Sequence, residues 1–179
     1  MRKPLVTLVA SGLVLTGCGS GAPRDGTGAA ATGVSSATGF DATDACKILP
    51  REKVGAITGL KVEKSTLSSV NQPTATSPAF SACTYSFAAG GTLGFFARRS
   101  PESDTPETVA QTRKALIDGM GAKTADVAGI GTTAFSARPM DQLHVFFGDD
   151  KYIYFMIDRA PIAKPVPLVE RALAHAVIG

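Results

Sequence analysis

Few side chains in this sequence could act as catalysts, and those few lack the neighbours that catalysis needs. His144 and His175 are the two histidines in 179 residues, and neither lies in a metal-binding His-x-x-x-His pair. The nucleophile motifs Gly-x-Ser-x-Gly and Ser-x-x-Lys do not occur in the sequence. Asp149 and Asp150 are adjacent acids at a turn signal, where such pairs are usually solvated turn formers and not an acid with its base. We therefore expect no enzyme activity, no metal and no cofactor.

The first eighteen residues combine a basic start, a short apolar run and a closing cysteine. Arg2 and Lys3 precede the mainly apolar residues 4–14, and this run is too short for a membrane-spanning helix, which needs about 20 apolar residues. The closing Leu-Thr-Gly-Cys resembles the bacterial lipobox, which implies cleavage before Cys18 and transfer of diacylglycerol to its thiol. We expect residues 1–17 to be a lipoprotein signal peptide. The alternative is an ordinary signal peptide in which Cys18 is incidental.

Residues 18–41 are predicted to form a lipidated, flexible tether. They are mainly Gly, Ser, Ala and Thr, and such a composition buries too little apolar surface to offset the entropy of ordering. Since two or more acyl chains hold a protein stably on a bilayer, the mature protein should be exported and lipid-anchored in the cell membrane or outer membrane without spanning it. The membrane is its first expected partner.

The charge of the chain argues against nucleic-acid binding. The sequence has 18 basic and 15 acidic residues, and loss of Arg2 and Lys3 with the signal peptide leaves a mature chain close to neutral. A nucleic-acid-binding domain usually carries a basic stripe, whereas the longest basic run here is Arg98-Arg99. We expect no nucleic-acid partner.

Two cysteines, Cys46 and Cys83, remain once Cys18 is assigned to lipidation. Disulfides persist in exported proteins, so we expect these two to pair and to constrain the unfolded chain by about 4 kcal/mol. The alternative is two separate buried thiols, since a sequence does not give the distance between them. A metal site is disfavoured because no Cys-x-x-Cys spacing accompanies either cysteine.

Residues 42–179 carry the patterns of a single α+β domain, an antiparallel twisted sheet with helices mainly on one face. The helices are predicted from Asp44 to Gly59 with Pro50 at a first helical position, over Pro106–Asp118 with Gly119 as the stop, and from 164–167 onward. The apolar stripe predicted for the last helix comprises Leu168, Val169, Ala172, Leu173, Ala176 and Val177, which leaves Glu170, Arg171 and His175 outside it.

Strands are predicted from the alternation of apolar and polar residues. They cover 60–67, 82–87, 92–98, an edge strand entered from Gly129 and Gly131, 143–147 and 152–157, with a loop over 68–79. Turns at Gly90-Gly91 and 148–151 join two hairpins. The strand over 152–157 is apolar on both faces and should therefore lie in the middle of the sheet.

Three short motifs carry a family resemblance. They are Asp-Ala-Cys-Lys-Ile-Leu-Pro at 44–50, Ser-Ala-Cys-Thr-Tyr at 81–85 and Val-Ala-Gly-Ile-Gly-Thr-Thr-Ala-Phe at 127–135. Together with the lipobox and tether, they resemble small bacterial lipoproteins of unknown function, many from actinobacteria. The resemblance implies an envelope location and a disulfide, with no catalytic residues to carry over. Some members look like the photosystem-extrinsic PsbP-type sheet, so a PsbP-like docking fold is a further expectation.

Three classes of function remain open. We favour a non-catalytic interaction or accessory module of the cell envelope, with an unknown envelope protein as partner. A carrier of a small apolar ligand or lipid is the alternative, suggested by aromatic residues that are equally typical of sheet core, and a hydrolytic enzyme is the third. Those aromatic residues are Phe95, Phe96, Phe146, Phe147, Tyr152, Tyr154 and Phe155. The candidate ligand or partner surface comprises Phe146, Tyr152, Tyr154, Arg98 and Arg159.

Overall fold

The computed structural model describes residues 39–179, which fold into one twisted sheet with helices on both of its faces. The elements of this part of the chain are α1 (Ala45–Ile48), α2 (Arg51–Thr58), β1 (Val62–Asn71), β2 (Ala79–Phe87), β3 (Thr92–Arg99), α3 (Pro106–Met120), β4 (Lys123–Asp126), β5 (Thr133–Arg138), β6 (Gln142–Phe147), β7 (Lys151–Asp158) and α4 (Val166–Ile178). None of the helices in residues 39–179 is long and apolar enough to cross a membrane.

The strands follow the order β1-β2-β3-β7-β6-β5-β4, and every neighbouring pair is antiparallel. This arrangement confirms the predicted α+β class. It also confirms the central position of β7, which has three strands on either side. The hairpins β2–β3 and β6–β7 turn where the sequence predicted.

The two faces of the sheet are covered unequally, which confirms that the helices lie mainly on one face. On the first face, α1, α2 and α4 enclose the main core, where Phe95 stacks on Phe155 with ring centroids 5.1 Å apart. On the second face, α3 covers a smaller cluster through Val109 and Leu116. The buried members of that cluster are Phe135, Phe146 and Tyr152.

Inward-facing side chains of β2 attach residues 42–49 to the sheet, and Ser81 makes the first attachment. Its hydroxyl donates to the Ala42 carbonyl and accepts from the Ala45 N–H, both at 2.8 Å. Because Ser81 is fully buried, these bonds are shielded from water. They hold the chain at the start of α1.

Cys83 and Tyr85 extend the attachment along the same face, since strand residues two apart point to the same side. Cys83 forms the predicted disulfide with Cys46, with the Cα atoms 5.1 Å apart. The Tyr85 hydroxyl donates to the Leu49 carbonyl at the end of α1, and burial raises the pKa of Tyr85, so the hydroxyl stays protonated. Ser81, Cys83 and Tyr85 are called the β2 clamp below.

The first predicted helix is in fact two helices divided at Pro50. Leu49 has a non-helical backbone, with φ −122° and ψ 88°, because the proline ring clashes with a helical residue before it. Pro50 is therefore the N-cap of α2 rather than a residue in its first turn. Asp44 caps α1 as predicted, through its carboxylate and the Lys47 N–H.

Helix α3 and strand β1 run further than predicted. α3 passes through Gly119 to Met120 and is capped by Gly121, whose N–H donates to the Ile117 carbonyl. The left-handed φ of 65° at Gly121 turns the chain so that the Ala122 N–H reaches the Leu116 carbonyl. A glycine inside a helix costs only about 1 kcal/mol, so Gly119 alone does not stop it. β1 continues to Asn71, into the segment predicted as loop.

Strand β4 was missed, and it changes which strand forms the edge of the sheet. The strand after Gly131 was expected at the edge, but β4 pairs with its outer side from Lys123 to Asp126. β4 has four residues, mostly exposed, and its sequence Lys-Thr-Ala-Asp has no apolar alternation. A strand this short gives no periodic signal.

The buried stripe of α4 is rotated from the predicted one and includes Glu170. Leu168 is 60% exposed, whereas Glu170 is 1% exposed. The Glu170 carboxylate accepts two hydrogen bonds from the Arg138 guanidinium, at 2.8 and 3.4 Å. Burial raises the pKa of Glu170, and the bonds from Arg138 oppose that rise. The partner of Glu170 is 32 residues away in sequence, so the helix pattern could not reveal it.

Replacing Cys46 and Cys83 with alanine should lower the free energy of unfolding by about 4 kcal/mol, because the unfolded chain loses the constraint on a loop of 37 residues. Denaturant unfolding measures this loss. Reductant should destabilise the wild-type protein similarly and leave the double variant unchanged. A loss well under 1 kcal/mol would contradict the structural role of the disulfide.

Candidate functional site on the second face

Five neighbouring aromatic rings cross the second face from β2 to β5. They are Phe80, Phe96, Tyr154, His144 and Phe135, and successive ring centroids are 5.8, 5.1, 5.4 and 4.8 Å apart. The last four stand directly opposite one another in the strand register, which brings their rings into contact. These five residues are called the aromatic row.

Helix α3 covers one end of the aromatic row and leaves the other end accessible. Phe135 and His144 are buried next to α3, with exposures of 0% and 2%. Phe80, Phe96 and Tyr154 are half-buried. Beside them, Met156 opposes Gly94 on the same face and is 39% exposed. The open half of the row is defined here as Phe80, Phe96, Tyr154 and Met156.

His144 is held as a neutral ring by its neighbours. Its Nε2 lies 3.0 Å from Gln142 Oε1, which can only accept, so we assign the proton to Nε2. The Tyr152 hydroxyl then donates to Nδ1, at 2.6 Å. Burial lowers the pKa of His144 to about 4, because the charged imidazolium is poorly solvated there. Both ring nitrogens are therefore hydrogen-bonded, and neither of their partners within residues 39–179 is a carboxylate.

Arg98 lies at the α3 end of the second face, above the rings of the covered cluster. Its guanidinium carbon is 5.1 Å from the centroid of Tyr152 and 6.0 Å from that of Phe146. Its Nη2 also contacts Asp104 Oδ1 at 2.5 Å. The cation therefore rests on two aromatic faces and is paired with one acid.

The structure brings together four of the five residues predicted to form a ligand or partner surface. Arg98, Phe146 and Tyr152 meet beneath the first turns of α3, and Tyr154 continues from Tyr152 into the open half. Arg159 does not join them. It lies seven positions after Tyr152 beyond the end of β7, about 23 Å along the strand, where it is paired with the adjacent Asp158.

Sequence reasoning assigned neither Phe80 nor Met156 to this surface. Phe80 falls just before the predicted strand 82–87. Extending the alternation of Cys83 backwards would have placed Ser81 in the core and Phe80 on the second face. Met156 belongs to β7, whose residues are apolar on both sides, so no contrast in polarity marked it.

Most other aromatic residues suggested for a carrier are ordinary core. Phe95 and Phe155 lie in the main core. Phe147 packs on the first face, edge-on to Phe40 at 5.3 Å, at the end of the predicted tether. Phe96 is the exception, because it faces away from that core and packs against the cluster on the second face.

Neither a protein-family model nor a curated protein matches the chain. The resemblance to small bacterial lipoproteins and the PsbP-like fold therefore stay predictions. The predicted lipobox, Cys18 and most of the tether lie outside the described residues. Within 39–179, no three His, Cys, Asp or Glu side chains are arranged to hold a metal ion.

The stability of the domain should fall as the pH drops from about 6.5 to about 4, because the unfolded state binds a proton at His144 in this window and the folded state does not. A shift of this size corresponds to about 3 kcal/mol. Denaturant unfolding at several pH values should therefore show a flatter slope for His144→Gln than for the wild-type protein.

His175→Gln provides the matched control, because it makes the same histidine-to-glutamine change at an exposed position. Glu170 acts in the opposite direction, because its raised pKa makes the folded state hold a proton longer as the pH rises. Its effect is common to all three proteins and cancels in their difference. Equal slopes for His144→Gln and the wild-type protein would contradict the neutral, buried state of His144.

Proposed function

We propose that the chain is an exported lipoprotein, anchored in the cell membrane or outer membrane through Cys18, whose domain is a non-catalytic interaction or accessory module of the cell envelope. The N-terminal pattern of basic start, apolar run and Leu-Thr-Gly-Cys supports the anchor. The domain then acts on what lies near the membrane surface.

The open half of the aromatic row is the observation that carries this proposal. Phe80, Phe96 and Tyr154 present adjacent rings on a sheet face, next to the half-exposed Met156. On the first face, by contrast, three helices cover the main core. Aromatic residues and methionine are enriched in the cores of protein interfaces. We infer that the open half binds an envelope protein.

The geometry favours an interaction module over the two other classes of function. The rings of the open half lie side by side on one face of the sheet, whereas a lipid carrier would need them around an enclosed volume. His144 supports a non-catalytic role, since Tyr152 and Gln142 occupy both of its nitrogens and its pKa is lowered to about 4. A general base works best with a pKa near the working pH.

Photo-crosslinking from the open half tests the proposed partner site. A photoreactive phenylalanine at Met156 should give a discrete protein adduct in the envelope of the cells that make the protein. Ile117 is the matched control, because it is 46% exposed on α3 and Met156 is 39% exposed. The adduct should be absent from position 117 and should disappear when excess purified wild-type protein competes for the partner.

Phe80→Ala should reduce the adduct about tenfold, a loss of about 1.4 kcal/mol, if Phe80 is one of the few aromatic anchors that dominate binding at an interface. Leu67→Ala is the control on β1, at a residue 40% exposed on the opposite face. Equal adducts from positions 156 and 117 would contradict the proposed site. An adduct of lipid mass would place the carrier first.

Cys18→Ser should release the protein from the membrane fraction and abolish incorporation of labelled palmitate. The reason is that acyl chains are attached at or through this cysteine, and each buried methylene contributes about 0.8 kcal/mol to membrane binding. Retention of Cys18→Ser in the membrane fraction would show that the anchor lies elsewhere.

A further inference from the structure

Strand β1 is the long, open edge of the sheet. It stands at one end of the strand order, beside β2, and no other strand of residues 39–179 pairs with its outer side. It has ten residues, and those from Glu63 to Val70 are all exposed. Alternate residues of an edge strand point their N–H and C=O groups outward, where a further strand can bind them.

The opposite edge of the sheet is protected in ways that β1 is not. β4 has four residues and carries a charge at each end, on Lys123 and Asp126. Short length and charged side chains are two means by which proteins prevent the edges of sheets from pairing. Residues 65–71 of β1, by contrast, include no charged residue and no proline.

Two irregularities leave a regular section in the middle of β1. The register with β2 shifts between Val62 and Lys64 and again between Ser68 and Asn71, where Ser69 has a left-handed φ of 53°. Between these points, residues 64–68 pair one for one with β2. Because a bulge interrupts regular pairing, an added strand can pair fully only with these five residues.

The regular section is complementary to a second copy of itself. If two copies run antiparallel with Thr66 on a two-fold axis, all of residues 64–68 are paired. Thr66 then lies opposite the partner's Thr66, and Lys64 lies opposite the partner's Ser68. No like charges oppose each other, and cross-strand Thr–Thr pairs are favourable. Since residues 65–71 are uncharged, this section offers no charge pattern that would select a different chain.

We propose that two copies of the chain pair through β1 in this register and form a two-fold dimer with one continuous sheet. Five residues from each copy is far below the roughly 20–30 of a standard interface, so the dimer is weak and forms at high protein concentration. Backbone groups make its hydrogen bonds, and a side-chain truncation such as Leu67→Ala leaves them in place. The dimer goes beyond the proposed partner surface, because β1 is not part of the open half.

Disulfide trapping in the purified full-length protein tests the register. Directly opposed residues of antiparallel strands have Cα atoms about 4.5–5.5 Å apart, a distance that a disulfide spans. Thr66→Cys should therefore give a covalent dimer under mild oxidation, with a yield that rises with protein concentration. Peptide mass spectrometry should locate the new bond between the two copies of position 66.

Two further cysteine variants are the controls. Lys64→Cys lies on the same strand, but the two copies of position 64 are four residues, or about 13 Å, apart along it. Ala125→Cys lies at an exposed position on the other edge strand. Each control should give at least about tenfold less dimer linked at the introduced position, because a disulfide does not span such distances.

Charged side chains at position 66 test the two-fold symmetry without a disulfide. Thr66→Lys and Thr66→Glu should each weaken self-association about threefold in sedimentation equilibrium, because each charge opposes its own copy across the axis. An equimolar mixture of the two variants should restore association. Ala125→Lys and Ala125→Glu, alone or mixed, should associate like the wild-type protein.

Four results would overturn the proposal. The first is a dimer yield at position 66 no higher than at positions 64 and 125. The second is a mixture of Thr66→Lys and Thr66→Glu that associates no better than either variant alone. The third is an intrachain bond from position 66 to Cys18, which would assign this edge to the N-terminal segment of the same chain. The fourth is a bond from position 66 to another protein after oxidation of intact cells.

Discussion

The attachment of residues 42–49 to β2 is the constraint on which the packing of the first face depends. α1 has only four residues, too few for a helix that is stable by itself. The β2 clamp supplies the stability that the helix lacks. The Ser81 hydroxyl makes two hydrogen bonds to backbone groups, Cys83 forms a covalent bond, and the Tyr85 hydroxyl donates to the end of the helix. Pro50 then redirects the chain into α2, so the position of α2 follows from the position of α1.

The second face is held quite differently, and the proposed partner surface lies there. None of the α3 residues from Pro106 to Met120 is buried. The helix rests on the partly buried Val109 and Leu116 and on Arg113, whose guanidinium stacks over Phe135 at 4.4 Å and pairs with the exposed Asp126. An exposed ion pair contributes at most about 1 kcal/mol. The domain therefore combines a firmly fixed face with a lightly held one, and binding surfaces are commonly drawn from the less stable regions of a protein.

Local patterns predicted the parts of the fold that depend on local physics. The Gly-Gly turn and the alternation of Cys83 and Tyr85 predicted the first hairpin, and the doubly apolar strand predicted the central β7. Contacts between residues far apart in sequence could not be predicted. A helix pattern cannot show that Glu170 contacts Arg138. Nothing in the sequence of α3 indicates which face of the sheet it covers. For the candidate site, Phe146, Tyr152, Tyr154 and Arg98 were found from their residue types. The open half as a whole was not predicted, because it is defined by the rings that α3 leaves uncovered.

Amide hydrogen exchange on the full-length protein tests most directly the claim that one face is fixed and the other lightly held. We predict that the amides of α1 and β2 exchange only through global unfolding. We also predict that the amides of α3 exchange through a separate opening of clearly lower free energy, and that reduction of the Cys46–Cys83 disulfide lowers the protection of α1 far more than that of α3. Protection of α3 equal to that of β2 would show that both faces open as one unit and that α3 is not lightly held.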